Sequence, residues 1–141
     1  DRGNGFEIRS SDRLELDIDR LLKQYEVYKL YEDGRGDIKP ILKEITEIYA
    51  GDLLPQDMYE DWTLLEREHI KSRFLVAAHR LAQIYADEGA FAEAETLLIK
   101  ALSAEPYDET ACNALISLYN QTGRKSAAKK IRRAFDKQLE K

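Results

Sequence analysis

A shift of 34 residues lays the C-terminal half of this chain over itself. Leu81 falls on Leu115, Tyr85 on Tyr119, Gly89 on Gly123 and Ala94 on Ala128. Self-similarity at such a period marks a repeat of small helical units, each of which buries its apolar face only by stacking on a neighbour. The residue types have steric reasons to recur. Ala82, Ala94 and Ala101 let two helices approach closely, and Gly89 can take the left-handed conformation that ends a helix. Tyr85 and Leu98 fill the gaps between neighbouring hairpins.

Residues 75–108 resemble a tetratricopeptide repeat. Leu81, Ala82 and Tyr85 stand in the first helix, Gly89 in the turn, Ala94, Leu98 and Ala101 in the second helix, and Pro106 after it. The second copy departs from the pattern, with Arg132 where Leu98 would fall and Phe135 where Ala101 would. That substitution suits a terminal repeat with a polar outer face.

The remaining periodicity predicts an almost entirely helical chain. From Asp17, residues Ile18, Leu21, Leu22, Tyr25, Tyr28 and Leu30 lie on or near one stripe, and Asp33, Gly34, Arg35, Gly36 and Asp37 stop the helix. A short helix follows, with Pro40 in its first turn and Ile41, Leu42, Ile45, Ile48 and Tyr49 on its apolar face; Gly51 and Pro55 mark the next loop. Residues 57–87 contain neither Gly nor Pro and predict one long helix or two nearly continuous ones. Helices over 91–103, 108–120 and 125–139 complete the set. The first 17 residues read differently: Phe6, Ile8, Leu14 and Leu16 alternate with charged neighbours around Ser10, Ser11 and Asp12, which predicts a short β-hairpin. The expected fold is therefore all-α, built of antiparallel helical hairpins of tetratricopeptide type. Its expected organisation is a β-hairpin at 1–17 and a helical domain at 18–141.

Composition narrows the function. The chain has 141 residues, 43% hydrophobic and 35% charged, with a net charge of -5, which is enough apolar content for a core. Cys112 is the single cysteine, so no intramolecular disulfide forms, and a reducing cytoplasm is expected. No apolar run reaches the ~20 residues of a membrane span. The first residue is not Met, which suggests a fragment. The charge is also uneven. Residues 1–70 carry 10 basic and 18 acidic side chains, net -8, whereas residues 71–141 carry 12 and 9, net +3.

Nothing in the sequence predicts an enzyme, a metal site or a cofactor. His69 and His79 are the only imidazoles, and ten residues of helix separate them by roughly 15 Å. Cys112 has no His in its motif and reads as a small buried hydrophobe. Gly34 and Gly36 are not followed by the Lys-Ser or Lys-Thr of a phosphate loop.

Two surfaces stand out instead. The repeat register places Val76, His79, Gln83 and Ala86 on one helix and Thr110, Asn113, Ser117 and Asn120 on the next, along the concave face of such a stack. The second set is spaced 3, 4, 3 and consists of uncharged hydrogen-bonding residues. This stripe fits a partner-binding groove built around His79, Gln83, Thr110, Asn113, Ser117 and Asn120, or a neutral solvated face. It lacks the basic clamp by which chaperone-binding relatives hold terminal carboxylates. The last helix carries Lys129, Lys130, Arg132 and Arg133 with other cations. It suits DNA phosphates, an acidic partner or the acidic first half of a second copy, and equally a solvated terminal helix whose cations complement its macrodipole.

The first half adds Tyr49, Ala50, Gly51, Asp52, Leu53, Leu54 and Pro55, then Tyr59, Asp61 and Trp62, then Arg67 and Glu68. This combination resembles the bacterial transcriptional activator domain, the helical effector module of antibiotic-regulatory activators and of some two-component response regulators. The likeness covers roughly residues 16–139. It implies a core position for Trp62, although Trp also serves as an interface anchor. In that family the module follows a winged-helix DNA-binding domain, and Gly3, Asn4, Gly5, Phe6, Glu7, Ile8 and Arg9 resemble the final wing of such a domain.

The resemblance implies a cytoplasmic transcription regulator in which this module makes protein contacts: self-association as a homodimer, a contact with an adjacent receiver or DNA-binding domain, or a contact with RNA polymerase. DNA would be read by a domain outside this chain. The alternative expectation is a stand-alone tetratricopeptide adaptor with no link to DNA. A winged helix encoded upstream of Asp1 separates the two.

Overall fold

Helix formation begins earlier than the alternation of Phe6, Ile8, Leu14 and Leu16 predicts. The computed structural model describes residues 10–32, 34, 36–49 and 64–140, and its first helix, α1, runs Ser10–Tyr31. Residues 10–17, expected to complete a β-hairpin, are therefore helical; the wing-like residues 1–9 lie outside the described residues. The physical reason lies in the spacing. Leu14 precedes Ile18 by four residues, so it continues the helical series Ile18, Leu21, Tyr25, Tyr28 as readily as it alternates with Leu16. Extending a helix that already exists avoids a new nucleation step, whereas an isolated hairpin is marginal in water.

Among the described residues there are six helices and no strand: α1, α2 (Lys39–Ile48), α3 (Leu64–Asp87), α4 (Phe91–Ala104), α5 (Glu109–Gln121) and α6 (Lys125–Leu139). The expected all-α architecture is thus observed. None of these helices is long and apolar enough to cross a membrane. The chain divides into two compact units, residues 1–74 and 75–141, with the boundary inside α3.

In the first unit α1 packs on α2. Ile18, Leu21, Tyr25 and Tyr28 are buried, while Leu30, expected near the same stripe, is 62% exposed, because two residues beyond Tyr28 lies far round the helix. Leu42 and Ile45 face α1 with no solvent exposure, and Thr46 is buried by donating its hydroxyl to the Lys43 carbonyl at 3.0 Å. Across the hairpin, Glu44 accepts from Arg20 Nε and from Gln24 Nε2, both at 2.7 Å. The Tyr49 ring stacks on Phe74 with centroids 4.3 Å apart, and the Arg73 guanidinium lies 4.7 Å over the Tyr25 ring. Trp62, Gly51, Tyr59, Asp61 and the expected start of the long helix at Asp57 lie outside the described residues.

In the second unit α4 packs on α5 and α5 on α6. Ala77, Ala78, Ala94, Ala101 and Ala111 are fully buried, so the helices meet across methyl groups as the repeat pattern requires. The turns repeat along with the side chains. Gly89 and Gly123 each have φ +78°; Ala90 N–H donates to the Tyr85 carbonyl at 2.8 Å, and Arg124 N–H to the Tyr119 carbonyl at 2.6 Å. This is the Schellman stop, in which a left-handed residue lets the chain satisfy the last carbonyls of the helix it leaves.

Phe74 has no solvent exposure, so Phe74→Ala should lower stability by about 3–5 kcal/mol, read as a fall in the urea midpoint. A Cβ at Gly89 would touch nothing within 4 Å, so the penalty there is backbone strain alone. Gly89→Ala should destabilise by about 1–2 kcal/mol, and an unchanged midpoint would refute that assignment.

Candidate interaction site

The second half of α3, α4 and α5 enclose a narrow groove of about 110 Å³. Ala82 and Ala86 of α3, Ala94 and Leu98 of α4, and Ala114 and Leu118 of α5 form its apolar part. His79, Gln83, Ser117 and Gln121 supply its polar atoms. The small residues bring the backbones together, so the groove is a slot between helices and not an open bowl.

Several of these polar groups already have partners. His79 Nε2 lies 2.6 Å from Asp108 Oδ2, and Asp108 Oδ1 accepts from the Ala111 N–H at 3.1 Å. Asp108 is the N-cap of α5 and is buried, so its carboxylate satisfies a helix terminus with one oxygen and α3 with the other. His79 is thereby a strut between repeats with one edge toward the groove. Gln83 Nε2 donates to Asp87 Oδ1 at 2.8 Å on its own helix.

The expected stripe divides. His79, Gln83, Ala86 and Ser117 line the groove, whereas Thr110, exposed at the start of α5, and Val76 do not. Asn113 and Asn120 turn toward α6. Asn113 Oδ1 accepts from Arg132 Nη2 at 3.0 Å, and Asn120 lines a second cleft. The cause is that α5 has a helix on either side, and a 3, 4, 3 series drifts around the helix far enough for its members to face different neighbours. Ala114 and Gln121, which line the groove, and Asp108, which holds His79, lie outside the stripe that the register predicts. Gln121, four residues after Ser117, was the legible signal for that face.

The second cleft, about 390 Å³, runs between α5 and α6. Ile116, Asn120 and Ala128 form it, with Lys125, Lys129, Arg132 and Arg133 around it. Lys130, expected in the same basic set, is exposed and does not line it. Arg132 also stands 3.8 Å from Asp136, one turn along the helix.

A third cluster joins α4 to the hairpin after it. Glu95 accepts from Arg124 Nη1 and from the Tyr119 hydroxyl, each at 2.8 Å, and the Arg124 guanidinium lies 4.5 Å over the Tyr119 ring. The Arg124 hydrogen bond, followed by that from Tyr119, holds the Glu95 carboxyl below its usual value. Burial, with Glu95 next, pushes the Tyr119 phenol up. Burial likewise raises the Cys112 thiol, which has no solvent exposure. Among the described residues no three His, Cys, Asp or Glu side chains stand close enough to hold a metal ion.

The shift at Glu95 has a pH consequence. Because its folded value lies below the unfolded one, ionised Glu95 stabilises the fold above the ordinary carboxylate range. That stability is lost as the pH falls through the folded value. Wild type should therefore lose stability on acidification more steeply than Glu95→Gln in denaturant titrations below pH ~5; parallel profiles would contradict this role.

No curated protein and no solved structure matches the chain. The family model of the bacterial transcriptional activator domain matches residues 38–141, which covers α2 through α6. With that match spanning most of the sequence and including both repeats, the chain belongs to the bacterial transcriptional activator domain family.

Proposed function

We propose that this chain is the non-catalytic effector module of a cytoplasmic bacterial regulator, and that it acts by holding another protein element in the groove between α3, α4 and α5. DNA is read by a domain outside these residues. The element held is part of the same regulator, of a second copy or of RNA polymerase. Family membership supports the link to transcription. The observation that carries the mode of action is the groove itself, where the amide of Gln121 and the hydroxyl of Ser117 border methyl groups with no net charge. Such a slot suits directional hydrogen bonds to a polypeptide better than it suits phosphates, which require cations.

Ser117 and Gln121 are both exposed, so carboxylates there leave the fold intact while placing charge where a partner would bury it. The test is a promoter reporter driven by the intact regulator that contains this chain. Ser117→Glu with Gln121→Glu should reduce activation about tenfold or more, with DNA binding and the helical circular dichroism signal unchanged. Full activation by the double variant would refute the reading.

A further inference from the structure

The two clefts of the second unit are images of each other under the 34-residue shift. Ala82, Ala86, Ala94 and Leu98 of the first correspond to Ile116, Asn120, Ala128 and Arg132 of the second. In the first cleft these positions lie beside a helix, α5, which contributes Ala114, Ser117, Leu118 and Gln121. The second cleft repeats the same wall of two antiparallel helices around Ile116 and Ala128. A surface of that shape accepts a helix, ridges into grooves.

The two differ in charge: no Lys, Arg, Asp or Glu lines the first cleft, whereas Lys125, Lys129, Arg132 and Arg133 line the second. Glu95 of α4 pairs at 2.8 Å with Arg124, at the start of α6. The counterpart of Glu95 beside the second cleft is Lys129, and Arg133 replaces Ile99. Arg132 has Asn113 and Asp136, whereas Lys125, Lys129 and Arg133 are exposed and have no ion-pair partner among the described residues. A helix that docks here as α5 packs on α4 must present acidic side chains to Lys125, Lys129 and Arg133.

We infer that the α5–α6 cleft is a docking site for an acidic amphipathic helix of a partner protein, an inference that rests on the reading of this module as a protein-contact device. The apolar positions Ile116 and Ala128 distinguish this site from a phosphate-binding surface, which gains nothing from buried methyl groups. Lys129 and Arg133 lie four residues apart on α6, so both face the same side of the incoming helix.

The test is fluorescence anisotropy of the full chain with a labelled helical peptide of about five turns, carrying a Leu and Ala seam flanked by Glu, and with a twin peptide carrying Lys in place of Glu. The Glu peptide should bind, more weakly at high salt, and the Lys peptide should not. Lys129→Glu with Arg133→Glu should weaken the Glu peptide about tenfold or more and reverse the preference toward the Lys peptide, with unchanged circular dichroism. Should that variant fail to fold, the wild-type preference and its salt dependence decide alone. Equal binding of both peptides, or no binding of the Glu peptide, overturns the inference. So does a random-sequence DNA duplex, or self-association seen by sedimentation, that the wild-type chain shows and the variant loses. Reporter activation lost in this variant without Glu-peptide binding would leave the proposed function standing and remove only the acidic helix.

Discussion

A chain of helices folds back on itself only if each turn satisfies the carbonyls that the ending helix leaves bare, and in the second unit that requirement falls on Gly89 and Gly123. Both adopt φ +78°, and both are followed by an N–H that reaches back to a tyrosine carbonyl, at Tyr85 and Tyr119. With the helix ended in this way, the next begins within two or three residues and must run antiparallel. The spacing of the two stops sets the spacing of the hairpins. Every inter-helix contact in this unit, from the alanine seam to the grooves, inherits its register from them.

Polar side chains then fasten one hairpin to the next. Asp108 caps α5 and takes His79 in the same carboxylate, and Glu95 takes both Tyr119 and Arg124. Each lock brings together residues 24 to 29 positions apart, close to one repeat length. The first groove carries no Lys, Arg, Asp or Glu, while the cleft between α5 and α6 is bordered by cations. At equivalent positions one repeat apart, Glu95 holds an arginine and Lys129 has no acidic partner among the described residues.

Most of the fold was legible in the residues. The stops at Gly89, Pro106 and Gly123 and the buried series Ala94, Leu97, Leu98, Ala101 read directly from the sequence, because steric requirements at a helix end or a close helix contact admit few residue types. The N-terminal residues misled because Leu14 fits two periods at once. Alternation with Leu16 suggests a strand, and its spacing to Ile18 extends a helix, which prevails where α1 has already nucleated. The site was legible in part. Ser117 and Gln83 line the groove, but Asn113 and Asn120, on the same apparent face, turn to α6.

The sequence by itself determined the all-helical class, the repeat period, the turn positions and the family, since each depends on local residue chemistry or on a pattern along the chain. Only the tertiary structure decided which polar residues remain available. His79 and Asn113 look alike as exposed hydrogen-bonding groups in a helical register, yet one meets Asp108 and the other Arg132. Those meetings depend on distances between helices, which side-chain volumes across the whole hairpin set and no single position in the sequence records.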